Sequence, residues 1–114
     1  MTGAAVQAKL WYWQRISAMA LAVCVVVHLA LIVLAARGGL TAADILGRTR
    51  GNVGFAVFYA AFVIACTVHV PIGLRTIAQE WLGWRERASS VAALLVAASI
   101  LVLGLRAVYA VVAT

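Results

Sequence analysis

The chain has 114 residues, 67% of them hydrophobic and 11% charged, with a mean hydropathy of +1.10. Soluble domains are about half apolar and about a quarter charged, so an ordinary water-soluble globule is excluded, and the length suits a single domain spanning residues 1–114. The net charge of +6 reports orientation in a membrane; no basic run with interleaved aromatics is present, and no nucleic-acid partner is expected.

Residues 1–10 read as a short polar surface segment. Trp11, Tyr12 and Trp13 then cluster beside Lys9 and Arg15, the composition of an interfacial anchor. The first apolar run, Ile16 to Ala36, is about 21 residues, enough to span a core of about 30 Å at helical rise. It exceeds the apolar core of a secretory signal peptide, so a retained helix is preferred although Ala35-Ala36 faintly resembles a cleavage site. Arg37-Gly38-Gly39 ends that helix. Thr41-Ala42-Ala43-Asp44 has the form of a capping box with Asp in place of Glu, and predicts a short surface helix over Ala42 to Leu46 in the first loop.

The second run, Val53 to Leu74, contains no Asp, Glu, Lys or Arg, and Pro71 falls near its end, where a membrane helix tolerates a kink. Residues 75–88 read as a polar connection, with Trp81 and Trp84 again at an interface. The third run, Ser89 to Val112, carries Arg106 and Tyr109 near its far end, and its Ala93 and Ala97 form a small-residue helix-contact pair. The expected fold is all-α and integral to the membrane, with three transmembrane helices over about 14–36, 53–74 and 89–112. Lys9, Arg15, Arg75, Arg85 and Arg87 on one side, against Arg37, Arg48 and Arg50 with Arg106 near them, place the N-terminus in the cytoplasm and the C-terminus outside. Cys24 and Cys66 read as small packing residues; their similar depths leave a disulfide conceivable.

Two histidines, His28 and His69, fall inside the apolar runs. Ionisable groups in a membrane are costly and by default functional, and imidazole suits iron and haem. The alternative is helix packing through small residues. Ser17, Leu21, Cys24 and His28 share one face of the first helix, and Phe55, Phe58, Phe62, Ala65, Cys66, His69 and Gly73 share one face of the second. Gly73 lets a ring edge approach the backbone one turn after His69. Measured from Arg75, His69 lies about 9 Å deep; measured from Arg15, His28 lies about 20 Å deep. A separation of roughly 10 Å along the membrane normal argues against one haem held by both. Two haem levels are expected, each completed by a histidine from a second anchor chain, identical or different.

Gln14-Arg15-Ile16-Ser17 resembles the His-Arg-x-Ser-Gly signature of the cytochrome b membrane-anchor subunits of succinate dehydrogenase and fumarate reductase. His69-x3-Gly73-x-Arg75-x4-Glu80 resembles their second motif. The resemblance covers nearly the whole chain. Gln14 stands where the family has histidine, Ala18 where it has glycine, and Trp11 where many members have serine. The resemblance implies a subunit that docks a flavoprotein and an iron–sulfur subunit, carries haem b and helps to form a quinone site, without dicarboxylate chemistry of its own. It implies His69 as haem ligand, with Arg15 and Ser17 near quinone and haem propionates; Trp13 reads as a membrane-belt residue or, alternatively, as a wall of the quinone pocket. His28 matches the dihaem anchors. The implied cofactor-binding set is therefore His69, His28, Arg15, Ser17, Gly73 and Arg75, in a bacterial inner membrane. Arg15 reads alternatively as an interfacial snorkelling residue, and Arg106 either snorkels outward or pairs with a propionate; Tyr59 reads as packing. The rivals are a small membrane transporter, against which the lack of any Asp or Glu in the three runs counts, and a non-redox structural subunit.

Overall fold

A computed structural model describes residues 3–113. Four helices follow one another: α1 (Ala4–Arg37), α2 (Ala42–Thr49), α3 (Val53–Glu80) and α4 (Glu86–Val112). α1, α3 and α4 are each long and apolar enough to cross a membrane, and the chain is an integral membrane protein. Large apolar side chains point outward all round, among them Val26, Leu34 and Leu94 at 68%, 68% and 70% exposure. Such a surface is tolerable against lipid and not against water.

The helices overrun their apolar runs. α1 begins at Ala4, not near residue 14, because the first ten residues contain no proline and only Gly3, which serves as the N-cap, interrupts them. At 34 residues it is about 51 Å long, well beyond the bilayer core. α3 carries straight through Pro71 and ends at Glu80. Residues 75–80, expected as part of a polar connection, are its last turns. The connection shrinks to the segment around Gly83, whose φ of 67° is the first backbone setting there that a helix cannot hold. Side chains secure this end: Gln79 donates to Ser89 Oγ at 2.7 Å, and Arg75 reaches Ser90 at 3.2 Å and Glu86 at 3.3 Å.

The short helix forms where the capping box stands and runs three residues past Leu46, to Thr49. The Thr41 hydroxyl accepts from the Asp44 N–H at 3.2 Å, and the Asp44 carboxylate accepts from the Thr41 N–H at 2.9 Å. Gly51, at φ 69°, turns the chain into α3, and its N–H donates to Val112 O at 2.8 Å. Thr49 Oγ1 donates to Val111 O at 2.7 Å. The first loop is thereby fastened to the far end of α4.

α3 is the centre of the arrangement. It packs against both α1 and α4, whereas α1 and α4 scarcely meet. The α1 side of its seam repeats in steps of three and four: Gln14, Ser17, Leu21, Cys24, His28 and Leu31, all buried or half-buried among exposed neighbours. On α4, Ser89 and Ala93 are buried at 1% and 7%; of the expected small-residue pair, Ala93 is thus buried and Ala97 half-buried. A Cβ on Gly104 would lie 2.6 Å from Val63 Cγ1, so α3 and α4 approach closely there because glycine permits it. Cys24 and Cys66 are both free thiols, and the conceivable disulfide is not formed.

Candidate functional site

The antiparallel pairing of α1 with α3 sets two histidine levels. Near the Arg75 end, Ser17 Oγ lies 3.4 Å from His69 Nδ1. Toward the α2 end, His28 Nδ1 lies 3.1 Å from the Tyr59 hydroxyl. Eleven residues separate Ser17 from His28 along α1, so the two imidazoles stand about 16 Å apart along the helix axis. This exceeds the roughly 10 Å read from the arginines. Arg15 and Arg75 are not at one depth: the Gly73 Cα faces Gln14, where an added Cβ would stand 3.1 Å from Gln14 Nε2. Arg75 is therefore level with about Tyr12, and Arg15 sits nearly one turn deeper.

The His69 level is a closed seam. Ser17 is only 5% exposed. Its hydroxyl donates to Gln14 O at 3.1 Å, a bond back to the preceding helical turn. Gln14 Oε1 is buried and has no hydrogen-bond partner among the described residues. His69 itself is half-buried, so one side of its ring is accessible. With Nδ1 turned to Ser17, Nε2 points away from α1.

The His28 level is open. His28 is wedged edge-on against Tyr59 and Phe62, with ring centroids 5.6 and 5.7 Å away. Phe58 meets both Tyr59 and Phe62 edge-on. Beside them runs an apolar cleft of about 540 Å³ walled by His28, Phe62 and Cys66 on one side and Gly104 and Val108 on the other, with Ile45 and Thr49 of α2 at its end. Its size falls within the range of small-molecule and cofactor sites. It exists because α1 and α4 flank α3 without closing on each other. Tyr59, expected only to pack, is the polar partner of His28. The antiparallel register carries the signal for it: His28 lies eleven positions after Ser17, so its opposite number sits about eleven positions before His69, at Phe58 or Tyr59.

The remaining candidates do not converge. Arg15 and Ser17 are two residues apart and hence about 200° apart around α1. Arg15 is exposed and lies over the Trp11 ring at 5.1 Å. Trp13 is 52% exposed and stacks edge-on with Tyr12. Of the expected trio, Trp13 lies one turn before Ser17 on a neighbouring face of α1 and is exposed, whereas Arg15 points to the opposite side. Arg75 is engaged with Glu86 and Ser90, and Glu80 and Arg106 are exposed. No group of three or more His, Cys, Asp or Glu side chains gathers as a metal site among the described residues.

No match to the chain was found among curated proteins or among solved structures. Residues 1–105 match the family model of the succinate dehydrogenase/fumarate reductase transmembrane subunit.

Proposed function

The chain belongs to the succinate dehydrogenase/fumarate reductase transmembrane subunit family, and from that premise we propose that it is a haem b-binding anchor with two haem levels. The observation that carries this reading is the shared posture of the two membrane-embedded histidines. Each turns Nδ1 toward a hydroxyl, Ser17 at 3.4 Å and Tyr59 at 3.1 Å. Among the described residues, neither Nε2 has a partner. A metal-ligating imidazole is held in this way, oriented through one nitrogen and coordinating through the other.

Other features fit the group. The cleft beside His28 is apolar, of suitable volume and bordered by Gly104, whereas the bare Cα of Gly73, one turn from His69, is covered by the Gln14 side chain. Haem b supplies a one-electron carrier whose potential is set by its axial ligands and their hydrogen bonds. His69 would serve the level near the Arg75 end and His28 the level near α2. Their separation of about 16 Å prevents one haem from using both, so each needs a second ligand from another anchor chain, a copy of this one or a different subunit.

The residues of this chain then have distinct tasks. Ser17 and Tyr59 orient the two imidazoles. Arg75, tied to Glu86 and Ser90, joins α3 to α4 beside the inner level. Trp13 and Arg15, exposed at that same end, are placed to meet quinone together with an iron–sulfur subunit, itself carrying a flavoprotein. Ser17 is buried in the seam, on the side of α1 opposite Arg15. The Arg75 end faces the cytoplasm of a bacterial inner membrane in this reading, by the excess of basic residues there.

The deciding measurement is an optical spectrum of the chain purified with its partners. A dithionite-reduced haem b band is expected; its absence would leave a structural subunit. Replacing Arg15 by Gln is expected to weaken quinone reduction while leaving that band intact.

A further inference from the structure

The hydroxyl of Ser17 has a single hydrogen and two lone pairs. It lies 3.1 Å from Gln14 O, a carbonyl that has no proton to offer. Of the two acceptors within its reach the carbonyl is the nearer, and the hydrogen is assigned to it. The same oxygen lies 3.4 Å from His69 Nδ1, and it has only lone pairs left to give. That contact is a hydrogen bond only if Nδ1 carries the proton. A neutral imidazole has one N–H, so Nε2 is left bare. Ser17 is 5% exposed, which denies the hydroxyl a water that would redirect it.

From this we propose that Ser17 is a positioning residue that fixes His69 as its Nδ1–H tautomer and so presents the Nε2 lone pair for ligation. The ligation half rests on the function proposed above; the tautomer half stands on the geometry alone. His28 has no comparable lock. The Tyr59 hydroxyl has no other acceptor among the described residues, so its hydrogen is free to turn toward Nδ1 or away from it. Serine at position 17 thus assigns a hydrogen-bond direction at one histidine that the other lacks. It also gives Ser17 a task different from the quinone contact expected of it.

The chain contains two histidines, so a His28→Gln variant leaves His69 as the sole imidazole. In the full-length, 15N-labelled variant held in haem-free lipid nanodiscs, NMR is expected to show a protonated Nδ1 and an unprotonated Nε2. Adding Ser17→Ala is expected to shift the ring toward the Nε2–H form. An Nε2–H ring with Ser17 present, or no change on its removal, would overturn the tautomer assignment. In the assembled complex, Ser17→Ala is expected to weaken haem retention at the His69 level roughly 10- to 100-fold and to raise the midpoint potential of that haem, because the imidazole becomes less basic. Ser17→Thr keeps the hydroxyl and should keep both properties. Equal losses in the Ala and Thr variants would reduce the role to seam packing and overturn it. A complex with no haem b at all would sink the proposed function while leaving the nanodisc measurement readable.

Discussion

The two histidine levels are built in opposite ways within one helix pair. At His69, α1 and α3 close on each other through a serine, a glutamine and a glycine, and the ring has one direction left in which to act. At His28, aromatic rings hold the imidazole edge-on beside an open apolar cleft of about 540 Å³. The first level is specified by hydrogen bonds over short distances. The second is specified by shape, because α4 stands off from α1 and leaves room. A helix pair can thus fix a ring tightly where side chains are small and polar, and admit a large group where a third helix declines to close.

Replacing each histidine in turn tests the comparison most severely. His69→Ala and His28→Ala are each expected to remove about half of the reduced haem b absorbance. Loss of all haem from either change would merge the two levels into one. Gly104→Leu should separate them next. Its side chain would collide with Val63, where a Cβ alone comes within 2.6 Å, and would fill the cleft. Overpacking of that kind costs about 1–3 kcal/mol. Haem stoichiometry should fall at the His28 level only; an equal fall at both would show that the levels are not independent. Tyr59→Phe is gentler. It removes one hydrogen bond, worth about 0.5–1.5 kcal/mol, and is expected to shift the spectrum and potential of the outer haem while the inner one is unmoved.

Smaller effects are expected away from the rings. Glu86→Gln weakens a pair whose side chains are 13% and 39% exposed; such pairs are worth about 1 kcal/mol or less, and thermal unfolding should barely change. Finally, the Thr41 backbone N–H and hydroxyl hold the Asp44 carboxyl below its usual range. A lowered folded pKa means stability that is complete above the ordinary carboxylate range and lost as pH falls through it toward the folded value. Hydrogen exchange of the α2 amides should therefore accelerate on acidification, and α2 closes the His28 cleft. Exchange that is flat with pH would detach the capping box from the stability of that end.

Much of this was legible in the residues. The α1 stripe of Ser17, Leu21, Cys24 and His28 followed from helical periodicity alone, as did the capping box at Thr41. The separation of the histidines was legible in sign but not in size. Arg15 and Arg75 were read as marking one depth, whereas helix register is set by seam packing and places Arg15 deeper. The ends of the helices were not legible either, since apolarity marks the buried length of a helix and not its last turn; Arg75 to Glu80 stay helical because their side chains bond to α4. Tyr59 reads as no more than packing because its role depends on a partner 31 positions away, which periodicity within one helix does not report. Pro71 reads as a tolerated position near the end of its run, and the helix continues nine residues beyond it, to Glu80.

The bonds from Thr49 and Gly51 to the last carbonyls of α4 also bear on how the molecule comes to be assembled. α1 and α3 are synthesised before α4, and can pair as a hairpin while the chain is still growing. The far wall of the His28 cleft arrives last, and only its arrival gives the first loop the acceptors that hold it down. Until then His28 lies on the open flank of a two-helix hairpin, accessible from the side. In the proposed reading, loading of that level waits on the final helix, whereas the contact between Ser17 and His69 needs only the two helices made before it.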